Sequence, residues 1–145
     1  MQDLPHNYIV SASAEGANNV TVSAAGLPDL ETAGPPQFGG PGDVWSPETM
    51  LVGSVANCFI LSFRAIARKA KLDWVTLECE VDGELYKIET FNQFTNFKVM
   101  ARLVITDEQY RKKAETILEK AEKYCLISNS LKAPAHLETE VIVAD

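Results

Sequence analysis

Cys58 lies in the middle of an apolar stretch, Met50 to Ala67, that follows Trp45-Ser46-Pro47-Glu48. A second cysteine, Cys125, comes 67 positions later, where a charged amphipathic segment gives way to Leu126-Ile127-Ser128-Asn129-Ser130. A thiol shielded by apolar neighbours and a distant partner at a helix boundary are the two parts that two-cysteine redox chemistry needs: one sulfur is oxidised and the other condenses with it. Cys79 falls on the apolar phase of a strand pattern without polar company and reads as a small core hydrophobe. The thiols form no C-x-x-C, and spacings of 21 and 46 with two histidines do not make a zinc site. The chain has no Gly-x-Gly-x-x-Gly, phosphate loop or Gly-x-Ser-x-Gly, so neither a cofactor nor a metal is expected.

The elements that must position the two thiols follow from local signals. Ser46 is a favoured N-cap, Pro47 suits the first helical position and Glu48 complements the dipole, which predicts a helix from Pro47 to about Lys71. Its apolar residues, among them Met50, Leu51, Val52, Val55, Phe59, Ile60, Leu61, Phe63 and Ile66, surround the axis instead of forming one stripe. Such a helix must be covered on all sides, and one small domain supplies too little cover, so a second copy of the chain is expected to provide the rest. Upstream, Tyr8-Ile9-Val10 and Val20-Thr21-Val22 predict short strands of an N-terminal meander, and the Gly- and Pro-dense segment 33–43 predicts a shaped loop. Downstream, Val75, Leu77, Cys79, Val81 and Leu85 alternate with polar residues, as do Phe97, Val99, Ala101, Leu103 and Ile105, which predicts two antiparallel neighbours. Thr106-Asp107-Glu108-Gln109 reads as a capping box before a helix with a stripe of Tyr110, Ala114, Ile117, Ala121 and Tyr124. Glu108–Lys112 and Glu119–Lys123 stand at the stabilising spacing, and a strand from Leu137 to Val143 ends the chain.

At 145 residues one domain spanning 1–145 is expected. A net charge of −7 and a pI near 4.8 argue against nucleic acid or an anionic membrane as partner. Ser54, Asn57, Ser62 and Arg64 interrupt the apolar run, which therefore reads as a core helix and not a membrane span. The first six residues carry no signal-peptide pattern, and an odd number of cysteines fits a reducing compartment, so a cytoplasmic location is expected.

Ser46-Pro47-Glu48, with Cys58-Phe59 ten residues after the glutamate, then Cys125-x-x-Ser128-Asn129, together resemble the OsmC/Ohr family of osmotically inducible and organic hydroperoxide resistance proteins. The Gly39-Gly40-Pro41-Gly42 loop stands at the matching distance before the helix, and the order of elements agrees from about His6 to the C-terminus. The resemblance implies an α+β, OsmC-like fold of antiparallel sheets packed on a long buried central helix, in an intertwined two-fold homodimer. It also implies a thiol peroxidase of oxidative stress defence. Cys58 would attack an organic hydroperoxide, Cys125 would resolve the product as a disulfide, and an external dithiol would reduce that bond. Glu48 matches the glutamate that in the family holds an arginine against the reactive sulfur. An apolar pocket formed by Val55, Phe59, Phe38 and Trp45 would favour hydrophobic peroxides. The alternative is a peroxidase-incompetent member that binds a small apolar or thiol-containing ligand at the dimer interface.

Two physical constraints bear on that assignment. Ten residues of unbroken helix separate Glu48 from Cys58 by about 15 Å, so either the helix breaks or Glu48 approaches Cys58 of a second subunit. The family's arginine lies in the N-terminal strand region, yet no Lys or Arg precedes Arg64. A thiol of pKa about 8.5 is roughly 3% ionised at pH 7, so complete ionisation is worth at most about 30-fold, or about 2 kcal/mol. Arg64, Arg68, Arg102, His6 and His136 are the basic groups that folding could bring in, although each reads first as a surface group. Arg64 stands about 240° around the helix from Cys58 and does not share its face.

Overall fold

The computed structural model describes residues 1–145. The chain forms two compact units, Met1–Met50 and Leu51–Asp145. In the first, β1 (Ser11–Ala14), β2 (Val20–Ser23) and β3 (Leu30–Thr32) make an antiparallel meander in that order. The first strand is therefore not Tyr8-Ile9-Val10, which lies outside the sheet. The tight turn closed by Asn18 N–H on the Glu15 carbonyl fixes the register at Ala14↔Val20, and the pairing ends at Ser11↔Ser23. The loop at 33–43 is shaped as expected: Pro36–Phe38 turn as a 3₁₀ helix, and a Cβ on Gly40 would run into the Gly34 carbonyl. The loop is closed where Ala33 N–H meets the Trp45 carbonyl at 3.0 Å.

Helix α1 (Pro47–Ala70) begins where the sequence places it. Ser46 Oγ accepts from Thr49 N–H at 3.1 Å while Thr49 Oγ1 accepts from Ser46 N–H at 2.8 Å, a reciprocal cap with threonine in the third position. The helix is unbroken to Ala70, so the break near Glu48 considered above does not occur.

The second unit carries a three-stranded sheet, β4 (Trp74–Ile88), β5 (Phe91–Ile105) and β6 (Ala135–Val143), in that order. β4 and β5 pair antiparallel as their alternation predicts, but β6 joins β5 in parallel, one departure from the antiparallel pattern. Parallel pairing needs a crossover, and α2 (Arg111–Lys123) with the short α3 (Leu126–Asn129) provides it. Val55, Phe59, Phe63 and Ala67, four residues apart along α1, bury one stripe in a core shared with Phe97, Val99, Leu103 and Ile105 of β5. Each large side chain so buried contributes about 1.5–3 kcal/mol. Gly83 lets α1 approach β4 closely, because a Cβ there would stand 2.7 Å from Val52 Cγ2. The Phe63 and Trp74 rings meet edge to face at 5.2 Å.

By length and composition α1 could cross a membrane, but its buried stripe makes it the core helix of this unit. The remaining apolar residues are incompletely covered within the chain: Leu61 is exposed, and Leu51, Val52, Ile60 and Ile66 are half-buried. At the α2 end the capping residue is Asp107, accepting from Gln109 N–H at 2.8 Å, and not Thr106; a 3₁₀ turn, Glu108–Tyr110, precedes the helix. Glu108 grips Arg111, Nε to Oε1 at 2.6 Å, instead of Lys112, because the guanidinium also reaches the Val141 carbonyl and is held between the two. Glu119 and Lys123 form no ion pair. Ala114, Ile117 and Ala121 bury the expected stripe with Leu118 added, whereas Tyr124 is exposed at the helix end.

Candidate functional site

Cys58 stands on α1 at the margin of the buried stripe, 100° around the axis from Phe59, and is half-buried. Cys125 occupies the junction between α2 and α3 with extended backbone, φ −64° and ψ 109°, and is buried. Local hydrogen bonds explain why the chain turns there. Asn129 Nδ2 donates to the Lys123 carbonyl at 3.0 Å, Asn129 N–H to the Cys125 carbonyl at 3.0 Å, and Ser130 Oγ to the Leu126 carbonyl at 2.8 Å. The Cys125-x-x-Ser128-Asn129 spacing is thus a turn that ties off one helix and starts the next.

That turn brings Cys125 to Cys58. Both are free thiols, and Cys125 and the Leu126 and Ile127 N–H groups come near enough to Cys58 to bear on its ionisation. Burial by itself would raise the Cys58 thiol, but the Ile127 N–H, the Cys125 thiol, Ser62 and the Leu126 N–H outweigh it and hold the group below its ordinary value. Cys125 is driven the other way, chiefly by burial, against the Ser128 hydroxyl and N–H, with Cys58 adding to the rise. The pair is therefore asymmetric: Cys58 ionises more readily than Cys125, which is the order that a nucleophile and its proton-bearing partner require.

The donors around Cys58 are uncharged. Arg102 is committed to Glu78 and Glu140, at 3.8 and 3.3 Å, and His6 lies against the Gln2 carbonyl at 3.1 Å. Arg64, Arg68 and His136 are exposed. Glu48 is half-buried, and its Oε2 is enclosed without a hydrogen-bond partner. Cys79 faces the core as expected, and burial, with Cys125 nearby, pushes its thiol up to about 11. Val55 and Phe59, expected to line an apolar pocket, are instead spent in the core at 1% exposure each, while Phe38 and Trp45 are exposed.

Sequence reasoning did not find the backbone donors of Leu126 and Ile127, for which side-chain patterns carry no signal. It also passed over Ser62, whose Oγ lies 4.0 Å from Cys58 Sγ. Its position four residues after a helical cysteine was the available clue.

A long core helix carrying one thiol, with a second thiol delivered by a helix junction over a three-stranded sheet, defines an α+β protein with a paired-cysteine site. The OsmC-like protein family model matches residues 40–140, and the chain belongs to that family. A Bacillus subtilis (strain 168) protein, "Uncharacterized protein YmaD", is 26% identical over 144 residues, covering 95% of each chain. Among solved structures, an OsmC-like protein of unknown function from Vibrio cholerae superposes with a TM-score of 0.84 at 17% identity, over 95% of this chain and 100% of that one. An organic hydroperoxide resistance protein OsmC from Legionella pneumophila gives 0.75 at 22% identity, over 97% and 100%. An organic hydroperoxide resistance protein from Elizabethkingia anophelis, with thiocyanate bound, gives 0.75 at 20% identity, over 97% and 100%. These likenesses establish the OsmC-like fold.

Proposed function

We propose that this protein is a thiol-dependent peroxidase that reduces organic hydroperoxides in oxidative stress defence, with Cys58 as the attacking thiol and Cys125 as the resolving one. The observation that carries the reading is the opposed protonation preference of two contacting thiols. The Cys58 thiolate attacks the terminal oxygen of ROOH, the O–O bond breaks, and the alkoxide takes a proton to leave as ROH. The sulfenic acid then condenses with the Cys125 thiol, forming the S–S bond and releasing water. An external dithiol restores both thiols by exchange and is itself oxidised to a disulfide.

The 145 residues act as one OsmC-like domain in a cytoplasmic two-fold homodimer. The incompletely covered apolar side chains of α1 support a second copy. The unbroken helix supports placing Glu48 of one subunit beside the partner's site, since ten helical residues separate it from Cys58 of its own chain. The Leu126 and Ile127 N–H groups take over part of the arginine's electrostatic work at Cys58. A second reading, a member without peroxidase competence that binds a small apolar or thiol-containing ligand, is favoured by one observation: no Lys or Arg precedes Arg64.

Oxidation of the reduced protein by cumene hydroperoxide and by hydrogen peroxide, followed by stopped flow with mass-spectrometric readout, separates the two. The peroxidase gives fast, organic-selective formation of a Cys58–Cys125 disulfide, and Cys125→Ser leaves Cys58 to over-oxidise. Oxidation no faster than that of a free thiol sinks the enzymatic reading in favour of the binding protein.

A further inference from the structure

Hydroxyl side chains in a helix ordinarily turn back onto the carbonyl three or four residues earlier. Three helical hydroxyls of this protein follow that habit: Thr49 Oγ1 donates to the Ser46 carbonyl at 3.1 Å, Ser54 Oγ to Leu51 at 2.6 Å and Thr116 Oγ1 to Lys112 at 2.9 Å. Ser62 does not. Its Oγ is turned to the Sγ of Cys58, 4.0 Å away, one turn earlier on the same face of α1. The hydroxyl thus forgoes the short backbone bond that its neighbours make and faces a sulfur instead.

We infer that Ser62 is a dedicated hydroxyl donor to the Cys58 thiolate, closing from the α1 side a set of groups that otherwise comes from the 125–127 turn. Between a thiol and a hydroxyl either group can donate, so in the neutral state the contact is weak and reversible in sense. Once Cys58 ionises, the sulfur can only accept and the hydroxyl must donate. The bond is then charge-assisted and shorter, so it favours the ionised form selectively. Geometry adds a second role. The other groups come from a different element, so a sulfur gripped from both α1 and the 125–127 turn has its rotamer fixed toward Cys125, and Ser62 helps hold the sulfur where the disulfide must form. The inference takes Cys58 as the reactive thiol, as the peroxidase reading does, but concerns only how its thiolate is held.

The test uses the full-length reduced protein without peroxide, so it is independent of whether peroxide is the substrate. Cys58 is alkylated with iodoacetamide across pH 5–10, and each cysteine is followed separately by peptide mass spectrometry. For Ser62→Ala the Cys58 profile is expected to move to higher pH, with about threefold slower alkylation at pH 7. The Cys79 profile should be unmoved, and Ser62→Thr, which keeps the hydroxyl, should restore the wild-type curve. A Ser62→Ala profile superimposable on wild type overturns the inference. So does equal slowing in Ser62→Ala and Ser62→Thr, because the effect would then come from packing. A protein inert to cumene hydroperoxide that still shows the displaced and rescued profile refutes the peroxidase while leaving the Ser62 assignment standing.

Discussion

Replacing Leu126 by proline removes one amide donor from the Cys58 sulfur while leaving the fold in place. Leu126 is the first residue of α3, a position where proline is favoured because its N–H has no intrahelical partner. Cys125, which precedes it, is extended at ψ 109° and so already outside the helical region that a following proline disfavours. The leucine side chain is 67% exposed, so little core packing is lost. The N–H lies where it lowers the Cys58 thiol. Hydrogen bonds to charged groups contribute about 1.5–3 kcal/mol net; a half-buried sulfur keeps water as a competitor, and the Leu126 N–H is the weakest of the donors, so about 0.5–1 kcal/mol is the reasonable expectation. That corresponds to a roughly two- to fivefold smaller thiolate fraction at pH 7. The assay is the pH dependence of Cys58 alkylation, with circular dichroism and the thermal midpoint as controls for folding. The sign is definite: a group held below its ordinary value loses that depression when a donor is removed, so the profile moves to higher pH. Leu126→Pro protein that is fully folded yet alkylates like wild type would refute the reasoning that backbone amides stand in for a cation here.

Two further outcomes follow from the packing. Cys79 is raised in the folded state from 9.0 to about 11, so its neutral form is favoured by folding. The associated stability is fully present below pH 9 and is lost as pH rises from 9 to 11. A rise from 9.0 to about 11 corresponds to about 2.7 kcal/mol, which partial exposure of the site discounts to about 1–2 kcal/mol. Urea melts at pH 8, 9.5 and 11 should show this loss in the wild type and less of it in Cys79→Ala; equal pH slopes would show that Cys79 titrates normally. Gly83→Ala forces a Cβ to within 2.7 Å of Val52 Cγ2 and 3.1 Å of the Phe94 and Phe97 rings, which costs about 1–3 kcal/mol by overpacking. Thermal denaturation should register a lower midpoint, and the double variant with Val52→Ala should recover part of it.

Local chemistry made most elements legible from the sequence. Ser46-Pro47 starts α1 because a hydroxyl cap and a residue lacking an N–H act on the backbone groups beside them. The β4 and β5 alternation is a property of side-chain period, and it placed Cys79 on the core face correctly. The short motifs around Cys58 and Cys125 pointed to the OsmC-like family, to which the chain belongs. What the residues alone could not specify was anything that depends on which backbone group arrives from a distance. The parallel direction of β6 depends on the α2–α3 crossover, and the first strand lies at Ser11–Ala14 and not Tyr8–Val10 because a turn register outweighed β propensity. The largest gap was the environment of Cys58. Its donors are two backbone amides 68 and 69 residues away, groups that every non-proline residue carries and no composition can distinguish. The sequence by itself determined that this protein carries three thiols, one on a core helix, one on the core face of a strand and one at a helix junction. Only the tertiary structure decided which one ionises most readily, because a sulfur's ionisation responds to burial and hydrogen bonds at atomic distances, and those exist only once α1 and the 125–129 turn have met.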